Sequence, residues 1–439
     1  MKTKTLISVS ALAFIIMWGL FGFSKNKEAK VKHRTTYRSI PKGCVFRTLM
    51  GEEPSDSNFI FKTPEKAQAS VRSGLAWIVK AQNLNGGWGA GSHSRQDVMD
   101  PHAVEADPAT TAMVAMSILR SGSTLHSGLY SKELKKAVAY LLSSIETSSA
   151  ESFNITTQTG TQIQVKLGAN IDVILTAQFL SNLLDYPESD GDFTNRIKRD
   201  LNTCIAKIQR AQDQNGSITG SGWAGVLQSS FATNALEAAQ SHGAVVDNEA
   251  FEKAREFQKN NYDPKSGSAN TDMGAGVMLY SVTSSARASA KEARRVEEEI
   301  AKAKKSGSLA ANAPASVENL QKIGFNKDDA MKYSTAYEIY QSAKVQAQRE
   351  DVMDGFGSNG GEEFLSYLQT GESMIIGKDK TWNQWYDNIA GRMLRIQNDD
   401  GSWSGHHCIS SPVFCTATCV LILSVSNDAD KLVRQGEVK

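Results

Sequence analysis

The sequence predicts an all-α protein built from repeated helical hairpins, and three observations carry that expectation. Long stretches rich in Ala, Leu, Lys, Glu and Gln, with only 9 prolines in 439 residues, favour helix over strand. A short pattern recurs three times: Gln, a Gly four residues later, and an apolar side chain two beyond that. Each copy lies between an amphipathic stretch and one that is apolar almost all round.

The copies are Gln82-Asn-Leu-Asn-Gly86-Gly-Trp88, Gln212-Asp-Gln-Asn-Gly216-Ser-Ile218 and Gln397-Asn-Asp-Asp-Gly401-Ser-Trp403. They follow amphipathic helices expected over 67–80, 194–210 and 382–396. They precede small-residue helix starts at Asp107-Pro-Ala-Thr-Thr-Ala112, Ser230-Phe-Ala-Thr-Asn-Ala235 and Val413-Phe-Cys-Thr-Ala417. The Asn/Asp-Gly step makes a tight turn in which Gly adopts φ > 0 without penalty. The Gln is placed to satisfy backbone groups left open at helix ends, and the Trp to seal the turn by stacking over it. The unit is therefore outer helix, sealed turn, loop, buried inner helix.

The Gln-x-x-x-Gly-x-Trp repeat resembles the QW motif of squalene cyclases and protein prenyltransferase β-subunits. That resemblance implies an α/α toroid, a ring of six outer helices around six inner ones. Candidate hairpins fall at 64–121, 131–185, 193–242, 249–290, 328–376 and 380–425, of which the first, third and sixth carry the motif. The toroid is thus expected over 64–425. A charged stretch at about 286–315, dense in Glu, Arg and Lys, is expected to project as a solvated helical extension or a protein-docking arm. Residues 426–439 read as a C-terminal tail.

At the other end, the uncharged run Thr5–Phe23 is close to the length that crosses a bilayer. Residues 1–24 are either a signal peptide or a membrane anchor, and 25–63 a tether. Export to the periplasm or cell envelope is the preferred reading. Lys25, Lys27, Lys30, Lys32 and Arg34 argue instead for an inward-facing anchor. Lys+Arg at 48 against Asp+Glu at 47 leaves no basic excess for nucleic acid. Five cysteines are too few for a disulfide scaffold, although Cys408, Cys415 and Cys419 crowd into twelve residues.

The resemblance directs attention to the starts of the inner helices. Squalene cyclases protonate their substrate with the middle acid of Asp-x-Asp-Asp-Thr-Ala. The matching stretch begins at Asp107, but Ala109 and Thr110 stand where the acid and its neighbour belong, so protonation-initiated cyclisation is not expected. Protein prenyltransferases hold zinc with Asp, Cys and His. The similar place here offers Cys415, preceded by His406, His407 and Cys408, with Glu362 and Glu363 opening the previous inner helix. His407, Cys408 and Cys415, faced by Glu363, are the candidate zinc ligands. Two other readings stay open: a Cys408–Cys415 disulfide, or inert packing of the cysteines. Glu362, Glu363 and Asp107 are the acid/base candidates, although helix capping explains such acids equally well. The Gly355–Gly361 loop lacks the Gly-Lys-Ser/Thr of a P-loop. The functional expectation is a membrane-tethered toroid binding a lipid- or isoprenoid-like molecule or a peptide in its ring, with catalysis left open. The alternatives are a non-catalytic envelope protein or a sugar-active toroid.

Overall fold

The computed structural model describes residues 63–186, 190–357 and 360–435; the expected signal or anchor and nearly all of the tether lie outside them. Six outer helices run towards one end, here called upper: α1 (Glu65–Lys80), α3 (Ser131–Thr147), α6 (Gly191–Arg210), α8 (Asn248–Lys259), α11 (Lys327–Gln346) and α14 (Trp382–Arg395). Six inner helices return: α2 (Pro108–Arg120), α5 (Ile171–Leu183), α7 (Gly225–Ser241), α9 (Met278–Lys305), α13 (Gly361–Ile376) and α15 (Pro412–Leu423). Short helices α4 (Gln162–Lys166), α10 (Val317–Lys322), α12 (Glu350–Met353) and α16 (Ala429–Gln435) complete the α-helices among the described residues. A two-stranded hairpin pairs β1 (Tyr262–Asp263) with β2 (Ser268–Ala269).

Each inner helix packs on the next, and α15 packs back on α2, so the ring closes. Each outer helix packs on the inner helix that precedes it, and α1 does so on α15 across the seam. The fold is therefore the all-α toroid of six hairpins that the sequence led one to expect. Every residue of α2 and of α15 is buried, which suits helices apolar all round.

The turns show what the repeated Gln does. Gln82 Nε2 donates to Gly86 O at 2.8 Å and to Glu133 O, in the first turn of α3, at 3.0 Å. Gln212 Nε2 does the same to Gly216 O (3.3 Å) and to Ala250 O of α8 (2.9 Å). Gln397 Nε2 reaches Gly401 O (2.8 Å) and Ser70 O of α1 (3.1 Å), tying the last hairpin to the first. Each glutamine thus buckles its own turn to the next outer helix. The glycines face the same neighbour: Gly216 has φ +92°, and a Cβ there would lie 2.2 Å from Lys253 O. The tryptophans bond as well as fill. Trp88 Nε1 donates to Ile78 O at 2.8 Å and Trp403 Nε1 to Met393 O at 2.9 Å, a second donor for last-turn carbonyls of the outer helices that also accept from Ala81 N and Ile396 N.

Two expectations need correction. The charged stretch after 286 is not a solvated extension, because it continues α9, a single helix of 28 residues. Its first half is ring wall. Its second half packs Val296, Ile300 and Ala303 against Leu309, Leu320 and Ala330 in a satellite core. The C-terminal segment is not a loose tail either: α16 folds under the ring and buries Leu432. Among the described residues no single helix is long and apolar enough to cross a membrane.

Candidate functional site

The upper ends of the inner helices gather two clusters of acids. Asp107 caps α2: Oδ1 accepts from Thr110 N at 2.7 Å, and Oδ2 from Ala90 N at 2.8 Å and Thr110 Oγ1 at 2.9 Å. Beside it stands Asp172, at the start of α5. Its Oδ1 accepts from Ala109 N at 3.1 Å, and its Oδ2 from Gln164 Nε2 at 2.8 Å and Asn154 Nδ2 at 3.0 Å. Both are 0% exposed. Burial, then the charge of Asp172, pushes the Asp107 carboxyl up to about 7. Burial likewise raises Asp172, against its three hydrogen bonds. The sequence reading singled out Asp107 but missed Asp172. The one signal was an Asp in the first turn of an otherwise apolar inner helix.

The second cluster assembles the other candidates. Glu363 uses both oxygens: Oε2 caps α13 by accepting from Gly360 N (3.0 Å), and Oε1 accepts from Tyr280 Oη of α9 (2.8 Å) and Phe356 N (3.1 Å). Glu362, 2% exposed, accepts from Ile409 N at 3.3 Å through Oε2. Burial, then the neighbouring Glu363 charge, pushes its carboxyl up to about 8. Cys415 is buried and donates to Ile409 O at 3.4 Å. Cys408 is half-buried with φ 63°, a left-handed conformation unusual for a side chain of its kind. Burial, then Glu362, pushes its thiol up to about 11, against the pull of the Lys166 ammonium. The ring of His407 stands edge-on to Phe356 at 5.4 Å, and neither of its nitrogens has a hydrogen-bond partner.

The structure thus brings Glu362, Glu363, Cys408 and Cys415 together at one end of the axis and sets Asp107 apart with Asp172. It also adds residues the sequence gave no reason to choose. Lys166, 5% exposed, lies with Nζ 4.3 Å over the exposed ring of Trp223. Gln162 accepts through Oε1 from the backbone amides of Ser410 (2.8 Å) and Ser411 (3.1 Å), holding the last loop over the ring. Both cysteines are free thiols, not a disulfide. Among the described residues no three His, Cys, Asp or Glu side chains are grouped to hold a metal ion, so a zinc at Cys408 and Cys415 gains no ligand set from this geometry.

At the lower end, Arg120 Nε meets Asp428 Oδ2 at 2.6 Å and Arg120 Nη2 meets Glu372 Oε1 at 2.7 Å. Above α16 the axis holds a cavity of about 40 Å³ to which all six inner helices contribute.

No family model and no curated protein matches this chain. Among solved structures it is similar to a variant of a type II terpene cyclase from Scytonema, in complex with its product merosterolic acid A. The two chains share 12% identity, the match covers 83% of this chain and 97% of that one, and the TM-score is 0.45. At that level the assignment to an α/α toroid rests on the closed helix packing itself.

Proposed function

We propose that this toroid is a non-enzymatic binding protein, held in the cell envelope by its N-terminal apolar segment. The observation that carries the reading is the state of its acids. Asp107, Asp172 and Glu363 each engage both carboxylate oxygens as caps and clamps, and all three are 0% exposed. A general acid or base has to reach the atom it serves. The axial cavity, at about 40 Å³, is also far below the roughly 300–1,000 Å³ of ordinary small-molecule sites. The residues are spent on holding the ring.

One feature favours an enzyme instead: burial beside Glu363 pushes the Glu362 carboxyl up to about 8, next to Cys408 and Lys166, as a general acid would require. The same experiment tests both readings. Purified full chain is incubated with squalene and with prenyl diphosphates, and the products are analysed by mass spectrometry. The binding reading expects no turnover. Product formation that disappears in Glu362→Gln or Asp107→Asn would replace it with the enzymatic one.

A further inference from the structure

Seven Lys and Arg side chains are buried among the described residues: Arg120, Lys166, Lys207, Arg255, Lys259, Arg287 and Arg294. Five of them hold carboxylates: Arg120 on Asp428 and Glu372, Arg255 and Lys259 on Glu292, Arg287 on Glu237, and Arg294 on Glu298. A sixth, Lys207, donates to the carbonyls of Ser149 and Ser152. Lys166, 5% exposed, holds no oxygen among the described residues. Its ammonium lies 4.3 Å over the Trp223 ring and donates to the sulfur of Cys408, and neither partner carries a counter-charge.

The acids nearby do not supply that charge. Glu363 is committed to Tyr280 Oη and to the amides of Phe356 and Gly360. The Glu362 carboxyl stays pushed up to about 8 even with Lys166 in reach. Burial, then the same cation, holds the His93 imidazole below its ordinary range, so no compensating charge comes from there either. A buried ammonium without a counter-charge destabilises a fold, and it calls for a partner that the chain does not contain. One turn earlier on the same face of α4, Gln162 is 0% exposed; its Oε1 serves the Ser410 and Ser411 amides while its Nε2 has no partner.

The arrangement defines the class of that partner. Lys166 is a single point charge, with no guanidinium fork beside it. One carboxylate matches it, whereas a phosphate monoester, at roughly two negative charges, would enter short of counter-charge. Flat apolar groups flank the ammonium. Trp223 is 61% exposed on one side, and on the other His407, next to Cys408 in the chain, stands edge-on to the exposed Phe356. The Trp223 indole makes no hydrogen bond among the described residues. Exposed side chains change rotamer within picoseconds to nanoseconds, so this cover turns aside readily.

We propose that the upper mouth of the toroid binds a monocarboxylic acid with an apolar body, the carboxylate pairing with Lys166 and Gln162 and the body lying on Trp223. This rests on the binding reading above, yet the two fail separately. Turnover dependent on Glu362 would remove that reading, whereas loss of carboxylate selectivity at Lys166 would remove this one.

Cys408, bonded to Lys166, reports the site in the full chain. Iodoacetate and iodoacetamide both alkylate a thiolate, the S–C bond forming as iodide leaves, and they differ in charge. The ratio of their rates at Cys408, read by peptide mass spectrometry, should be at least tenfold higher in the folded chain than in urea. Lys166→Met should return it to the unfolded value with a urea midpoint unchanged or raised, because an unpaired charge has been removed. 4-Phenylbutyrate should protect Cys408 from iodoacetamide at concentrations at least tenfold below those needed of 4-phenylbutyramide or phenyl phosphate, and Trp223→Ala should weaken acid and amide alike. An equal rate ratio in folded and unfolded chain, or equal protection by acid and amide, would overturn the proposal. A lowered midpoint for Lys166→Met would overturn it too, by assigning Lys166 to holding the loop.

Discussion

Replacing Gln397 by Leu tests whether the ring is closed at its seam. Gln397 makes the bonds to Ser70 O and Gly401 O, and its Oε1 accepts from Ser70 Oγ as well. Leu keeps most of the bulk and removes all three. At a net ~1 kcal/mol for each bond, the expected loss is about 2–3 kcal/mol. Gln82→Leu, at an equivalent turn with two bonds, provides the internal comparison at about 1–2 kcal/mol. The assay is urea unfolding followed by far-UV circular dichroism, with equal slopes required so that the midpoints report stability alone. The order should be Gln397→Leu above Gln82→Leu. A loss below about 0.5 kcal/mol for Gln397→Leu, with Gln82→Leu still costing 1 or more, would mean that α14 and α1 are not locked together and that the helices form an open solenoid.

Other outcomes follow from the same geometry. Trp403→Ala, which empties a site 0% exposed and removes one of the two donors to Met393 O, should cost about 3–5 kcal/mol by the same assay. Gly216→Ala, forced to keep φ +92° with its Cβ against Lys253 O, should lose about 1–3 kcal/mol or more; a neutral result would show the turn free to relax. The Asp107–Asp172 pair binds a proton more tightly folded than unfolded. Stability should therefore fall as pH rises from the ordinary carboxylate range near 4 to about 7, with Glu362 adding to the fall up to about 8. Asp172→Asn should make that decline shallower, and an unchanged slope would assign the proton elsewhere. In a Cys44→Ala background, Cys408 should be the one thiol open to Ellman's reagent in the folded protein, reacting faster as pH rises towards 11. Two rapid thiols, or none, would contradict the burial of Cys204, Cys415 and Cys419.

The hairpin plan was legible because its signal is local. A Gly at φ > 0, a Gln four residues before it and a Trp two after are all fixed by one turn, and all lie within seven residues of sequence. The charged half of α9 was misread for the opposite reason. Arg287 and Glu292 look solvated when only their own helix is considered. Their partners are Glu237 of α7, and Arg255 and Lys259 of α8, at 3.0, 3.2 and 3.3 Å. Charges spaced along a helix do not tell whether they meet water or counter-charges on the next helix, because that depends on how the ring is packed.

The same reasoning bears on the acids. In the sequence, Ala109 leaves the first inner helix without a carboxylate at the position where the resemblance places one. In the structure a carboxylate is there all the same: Asp172 comes from the neighbouring inner helix and accepts from Ala109 N. A ring brings together residues 63 positions apart as closely as a motif brings its own members. What the sequence could establish was the absence of an acid from one segment. What it could not establish was the absence of an acid from the site. The oxygens of Asp172 are held by the Ala109 amide, Gln164 and Asn154, and its side chain is buried at the end of the ring opposite the axis cavity. An acid so placed clamps α2 to α5. It would become a proton donor to a substrate only if the upper loops moved far enough to break those three bonds.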